Sequence, residues 1–317
     1  MINNKKIAVV IPSFKVKSHI LGVISSIGQE VDRIFVVDDC CPQQTGAFVA
    51  EHCTDRRVSV LYNPENLGVG GAVMTGYRQA LSEGFDIAVK IDGDGQMDPV
   101  LLPRFVNPIA AGQADYTKGN RFYSIESLES MPFVRKLGNA ALSFINKIAS
   151  GYWGVMDPTN GYTAIHRTAL SQLPFEKISE RYFFESDMLF RLGTVRAVVQ
   201  DVPMMSVYGD EVSNLRIGRV LVDFPPRYLK AFAKRLFYSY FLRDFNGASM
   251  QMLLGVPLFS FGVVCGGVRW AESIVANSFA SVGAVMLAVL PTILGFQLLL
   301  GALHFDMSNM PTKAIQE

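Results

Sequence analysis

Residues 86–99 read DIAVKIDGDGQMDP, and the change from apolar to acidic within that stretch decides the fold. Its first half is short, rich in Ile and Val and bounded by turn residues, which reads as a β-strand. Its second half crowds Asp92, Asp94, Gln96 and Asp98 together just before Pro99. Carboxylates that close repel one another unless a cation sits between them. Clustered Asp and Gln oxygens suit a hard ion, Mg²⁺ or Mn²⁺, which binds few protein groups and keeps its other positions for water or phosphate. No Cys/His set lies nearby to favour zinc. An EF-hand is excluded, because the loop has no glutamate at its twelfth position and contains a proline. The stretch therefore reads as a strand ending in a turn whose cation bridges to a diphosphate.

Outward from that turn the pattern repeats. KIAVVIP (6–12), RIFVVDD (33–39) and VSVLY (58–62) have the same strand character, and helical stretches lie near 18–28, 44–53, 69–83 and 99–111. Strands separated by helices predict βαβ units and an α/β fold with a mainly parallel sheet. Ligands of such sheets bind beyond the carboxyl ends of the strands. Two acidic pairs fall at those ends, Asp38 with Asp39 and Asp92 with Asp94. The segment NLGVGGAVMTGY (66–77) is not a dinucleotide fingerprint, since Val73 stands where the third glycine belongs and the segment follows the third strand. Its glycines still permit close backbone approach, and the helix after them offers a positive N-terminus to an anion.

The composition shifts near residue 245. Residues 248–268 and 279–303 carry no charge, and each is long enough to cross a bilayer as a helix. Arg227, Lys230, Lys234, Arg235 and Arg243 precede the first span and Lys313 follows the second. The intervening RWAESIVANS (269–278), read as a turn, holds Arg269 as its one basic residue. That asymmetry predicts a hairpin with both ends in the cytoplasm. Within 224–246, Phe232, Leu236, Phe237, Tyr240 and Phe241 recur at helical spacing with Lys230, Lys234 and Arg235 between them. This predicts an interfacial helix with its cations toward anionic head groups. The expected organisation is a catalytic domain over 1–220, a juxtamembrane segment over 221–246, a transmembrane hairpin over 247–304 and a cytoplasmic tail over 305–317. The four cysteines do not suggest a disulfide framework, and a net charge of +1 gives no argument for a nucleic-acid partner.

Together these residues resemble the inverting family 2 glycosyltransferases of GT-A fold, and among them the polyprenyl-phosphate glycosyltransferases typified by dolichyl-phosphate mannose synthase. The resemblance rests on VVIPSF, VVDD, NLGVGGA and DGDGQMDP in that order. KGNRF (118–122), DPTNGYTAIHR (157–167) and ERYFFESDMLFRL (180–192) match later elements. It implies that Pro12, Ser13, Asp38, Asp39, Asn66, Gly68, Asp92 and Gly93 contact the nucleotide, and that Asp92, Asp94 and Gln96 hold the metal. It also implies that Asp94, Asp157, Glu185 and Asp187 lie at the reacting sugar. Arg121 and Arg135 would meet the acceptor phosphate, with Arg216 and Arg219 in support. Lys15 and Val16 depart from the family's Asn-Glu after the first strand, and VYGDEVSNLRIGR (207–219) departs from its Gly-x-Ser-Lys loop.

The expected activity is transfer of one sugar from a nucleoside diphosphate sugar, a UDP-hexose, to polyprenyl phosphate at the inner membrane, with Mg²⁺ or Mn²⁺ as cofactor. A homo-oligomer is compatible with this. The alternatives are a non-processive transferase acting on a lipid-linked sugar, and a catalytically silent nucleotide-sugar-binding scaffold. A processive synthase is disfavoured by the absence of Gln-x-x-Arg-Trp.

Overall fold

The computed structural model describes residues 2–123, 133–205 and 217–316, with the side chains of 133–135 and 217–222 left out. The chain forms two compact units: residues 1–233 with 311–317, and residues 234–310.

The first unit is built on a seven-stranded sheet in the order β3-β2-β1-β4-β6-β5-β7. The expected strands are β1 (Ile7–Ser13), β2 (Arg33–Asp38), β3 (Val58–Tyr62) and β4 (Ile87–Lys90). Three further strands extend the sheet, β5 (Tyr116–Asn120), β6 (Thr163–His166) and β7 (Val199–Pro203). All pairings are parallel except those of β6, which runs against both β4 and β5. Alternation of side chains sends Ala8 and Val10 of β1 to one face, and Ile7, Val9 and Ile11 to the other. The first face packs on α3 (Gly68–Ser82), α6 (Arg167–Ser171) and α7 (Phe184–Val195). The second packs on α1 (Ile20–Ser25) and α4 (Leu102–Ala110). The short α2 (Thr45–His52) follows β2, and α5 (Phe133–Ser150) connects β5 to the loop before β6. Strand order reverses between β1 and β4, which opens a crevice at their carboxyl ends.

The tail belongs to this unit as well. The backbone N–H of Ile315 reaches both oxygens of the buried Asp115 carboxylate, at 3.1 and 3.0 Å. The Gln316 side-chain amide donates to the carbonyls of Ile109 and Ala114.

The second unit takes in the end of α8 (Ile217–Phe237), a π-helical turn at Tyr238–Arg243, and the helices α9 (Gly247–Val275) and α10 (Val282–Ser308). Each of the last two is long and apolar enough to cross a bilayer. Only 11% of each apolar window is buried. The two helices pack antiparallel through glycine. A Cβ on Gly262 would meet the Thr292 hydroxyl at 2.3 Å, and one on Gly295 would meet the Phe259 nitrogen at 2.4 Å. Small residues permit such close approach where no hydrophobic force drives association.

Two expectations change here. The turn is shorter than 269–278, because α9 continues to Val275 and Arg269 pairs with Glu272 one helical turn on at 2.9 Å. Arg235 does not face head groups. It is buried, its guanidinium is bidentate to Asp306 at 2.6 and 3.1 Å, and the Tyr240 hydroxyl donates to the same carboxylate. Tyr240 is likewise buried instead of lying on an exposed apolar face.

Candidate active site

A cleft of about 390 Å³ opens at the β1/β4 crevice. Pro12, Ser13, Phe14 and Val16 form one wall, at and just past the end of β1, and Asp92, Gly93 and Asp94 form another after β4. Asp39, Asn66 and Gly68 come from the β2 side, and Arg181 and Tyr182 from the approach to α7. Of the residues expected at the nucleotide, only Asp38 is not part of this lining.

The two acidic residues after β2 do different things. Asp38 Oδ1 accepts from the Cys41 N–H at 2.7 Å and Oδ2 from the Gly46 N–H at 2.5 Å, so it builds the turn into α2. Asp39 Oδ1 accepts from Asn63 and from the Leu67 N–H, and Oδ2 from the Gly68 N–H at 2.7 Å. The anion that meets the N-terminus of α3 is therefore Asp39 itself, placed by the fold. Gly68 adopts φ +84°, a left-handed conformation that favours glycine. The same helix end docks on the approach to α7 through the Gly71 N–H, which donates to the Glu180 carbonyl at 3.1 Å. Arg181 closes that side with a bond to the Asn66 carbonyl at 3.3 Å.

Asp92 and Asp94 both face the cleft. Asp94 Oδ1 accepts from the Gln96 N–H at 3.0 Å, while the Gln96 side chain is not part of the lining. Among the described residues no group of three or more His, Cys, Asp or Glu side chains is placed to hold a metal ion. Two carboxylates on one wall are a partial ligand set. That fits a Mg²⁺- or Mn²⁺-like ion, which takes one or two carboxylates and completes its shell with water and substrate phosphate.

Beneath Asp92 lies a row of charge. Lys90 is wholly buried and donates to Asp92 Oδ1 at 2.7 Å, with Glu185 Oε1 3.6 Å away. Burial opposes its charge, but the Asp92 and Glu185 carboxylates outweigh burial and raise its pKa. Lys118, equally buried, donates to the Asn160 carbonyl. Burial brings its pKa down to about 8 against the pull of Glu185 and Asp157. Asp201 Oδ2 accepts from Asn120 at 3.0 Å and from the Met156 N–H at 2.9 Å, while Oδ1 is buried without a protein partner among the described residues. Burial pushes that carboxyl up to about 6.

Asp157 and Arg121, expected in separate roles, form one ion pair. Arg121 Nε and Nη2 meet the two oxygens of the buried carboxylate at 2.7 and 3.0 Å. Burial raises the Asp157 pKa, but the Arg121 fork outweighs it and holds the acid below its usual range. Asp187 turns away from the cleft, accepting from the Ser179 N–H at 2.8 Å and lying 3.4 Å from Arg191. The side chains of Arg135 and Arg219, and the whole of Arg216, lie outside the described residues.

Sequence reasoning assigned no role to Lys90, Lys118, Asp201, Arg181 or Tyr182. For the lysines a signal existed: each is a cation inside a strand whose neighbours are buried.

The model of the family described as Glycosyl transferase family 2 matches residues 8–173. Among curated proteins the chain is similar to the UDP-N-acetylglucosamine–dolichyl-phosphate N-acetylglucosaminyltransferase of Methanococcus voltae. Identity is 29% over 235 residues, covering 70% of this chain and 93% of that one. It is 32% identical over 189 residues to the undecaprenyl-phosphate mannosyltransferase of Micrococcus luteus, covering 59% and 76%. Among solved structures, glucosyl-3-phosphoglycerate synthase from Mycobacterium tuberculosis in complex with Mn²⁺, UDP and phosphoglyceric acid superposes with a TM-score of 0.52. That match has 18% identity over 76% of this chain and 81% of that one, a likeness of fold. The same enzyme has been crystallised with Mg²⁺ and UDP.

Proposed function

The chain belongs to glycosyl transferase family 2, and on that premise we propose that it is a membrane-bound inverting transferase. It moves one sugar from a UDP-sugar to the phosphate of a polyprenyl carrier. The observation that carries this reading is the relationship, across nearly the full length of the relative, to an enzyme named for UDP-N-acetylglucosamine and dolichyl phosphate. The two apolar helices support a lipid acceptor, since they would hold the catalytic unit at the bilayer surface.

In this reading the nucleotide lies between the end of β1, Asn66 and Gly68, and the diphosphate lies at Asp92 and Asp94. A divalent cation on those carboxylates would supply neutralisation of the departing diphosphate. Asp39 fixes the Asn66–Gly68 turn through its bonds to the Asn66 side-chain amide and to the Leu67 and Gly68 N–H groups. An oxygen of the acceptor phosphate attacks the anomeric carbon from the face opposite the diphosphate. The bond to the leaving oxygen breaks with inversion, and its electron pair stays on the nucleoside diphosphate. A phosphate monoester has a second pKa near 6 and is largely dianionic at neutral pH, so no strong general base is required. Arg121, oriented by Asp157, presents its exposed edge to the acceptor phosphate, a geometry arginine serves better than lysine. The catalytic unit and tail would lie in the cytoplasm, with Arg227, Lys230 and Lys234 toward anionic lipid.

The test is purified protein in lipid nanodiscs with UDP-glucose, UDP-N-acetylglucosamine or GDP-mannose, undecaprenyl phosphate and Mn²⁺, with the lipid read by mass spectrometry. A glycosyl phosphate lipid that fails to form in excess chelator is the expected product. Transfer to a lipid-linked sugar with none to the lipid phosphate would overturn the acceptor.

A further inference from the structure

Lys90 closes β4, the strand that feeds the acidic turn. Groups from three separate pieces of chain surround its ammonium. It donates to Asp92 Oδ1 in the turn after β4 at 2.7 Å and to the Gly161 carbonyl in the loop before β6 at 3.1 Å, and it forms an ion pair with Glu185 Oε1 in the first turn of α7 at 3.6 Å. The side chain is 1% exposed, so water cannot readily replace any of them. The turn at Gly161 rests directly on the pair: a Cβ there would meet Lys90 Nζ at 2.5 Å and Asp92 Oδ2 at 2.7 Å. The preceding carbonyl is held by Lys118 in the same way. Strand register explains the arrangement. Lys90 of β4 and Lys118 of β5 both stand opposite Thr163 of β6, so the two lysines lie in one transverse row under the Asn160–Gly161 turn.

Lys90 thus shares one positive charge between a carboxylate that faces the donor cleft and one on the first turn of α7. We propose that Lys90 is a positioning residue that makes metal–nucleotide binding at Asp92 depend on Glu185. The inference rests on the reading of Asp92 as a carboxylate of the donor metal site. Lys90 fixes the orientation of the Asp92 carboxylate by donating to Oδ1, so without it that carboxylate is free to turn and holds a cation less well. Glu185 balances the ammonium's charge, so neutralising Glu185 leaves that charge uncompensated beside the cation and weakens binding, an effect that needs Lys90 to be present; a cation arriving at Asp92 in turn pushes the ammonium's attraction toward Glu185. Donor occupancy is thereby felt at α7, beside the residues that approach the cleft at Arg181 and Tyr182.

The test is calorimetric binding of UDP with and without Mn²⁺ to the full chain and to Lys90→Met, Glu185→Gln and the double variant. Lys90→Met is expected to weaken Mn²⁺-dependent UDP binding roughly 10–100-fold, the range for partners that orient metal ligands, and to leave metal-free UDP binding unchanged. Glu185→Gln is expected to weaken the Mn²⁺-dependent part in the native background and to have a much smaller effect in the Lys90→Met background. Additive effects, or equal loss with and without Mn²⁺, would overturn the proposal by showing that Lys90 only fills space. If Lys90→Met does not fold, Glu185→Gln alone decides: unchanged Mn²⁺-dependent binding sinks the coupling. An unmodified protein whose UDP binding ignores Mn²⁺ would instead remove the donor-site reading on which the proposal stands.

Discussion

At the scale of single residues, the site is governed by charges that the fold has taken out of water. Asp157 is fully buried and Arg121 is its counter-ion. Removing one partner of such a pair leaves an uncompensated charge. Arg121→Ala is therefore expected to destabilise the catalytic unit by about 3 kcal/mol, with Arg121→Lys intermediate because it keeps the charge and loses the fork. Thermal unfolding of the two variants checks this, and an unaltered melting temperature for Arg121→Ala would contradict it. Asp201 gives the opposite sign. Burial raises its pKa to about 6 in the folded chain, so its contribution is fully present below the ordinary carboxylate range and is lost as pH rises through about 6. Asp201→Asn, neutral throughout, should match the native protein near pH 4 and exceed it by about 3 kcal/mol at pH 8, from a rise of about two pKa units at about 1.36 kcal/mol each. Denaturant unfolding at both values measures the difference, and equal stability at pH 8 would refute it. The acidic turn was legible in the sequence because its residues are adjacent. The Lys90–Glu185 contact was not, since those residues are brought together only when α7 packs against the sheet.

Elements show the same division. The first four strands could be read because they are runs of Ile and Val. Strands β5 and β7, YTKGN and VQDVP, could not, because one face of each carries the polar row. Lys118 of β5 stands opposite Asp201 of β7. A strand that buries lysine against carboxylate has no apolar alternation to find. Docking of α3 against the approach to α7 was equally hidden, and it turns on a missing side chain. A Cβ at Gly70 would lie 2.4 Å from the Ser179 carbonyl and 2.8 Å from the Phe184 ring. Gly70→Ala should cost about 1–3 kcal/mol through overpacking and should also weaken UDP binding, because Arg181 and Tyr182 shift with that segment. A melt and a nucleotide titration on one sample test both, and retained stability would mean that the segment yields freely.

For the whole molecule, hydropathy marked the two apolar stretches that form α9 and α10, and the charge asymmetry around them predicts both hairpin ends in the cytoplasm. The exact limits of these helices depended on Arg269 and Glu272 extending α9 beyond the uncharged run. With both hairpin ends in the cytoplasm, a cysteine introduced at Ser273 in a cysteine-free background should react with an impermeant reagent in intact cells. One at Asn3 should react only after permeabilisation, and labelling of Asn3→Cys from outside would reject the orientation. The chain leaves the catalytic unit after Ala233 and re-enters it at Pro311, where Ile315 caps the buried Asp115. During synthesis, therefore, the ribosome must deliver both apolar helices before it supplies Ile315, and a nascent chain stalled in the hairpin would carry an Asp115 carboxylate without that donor.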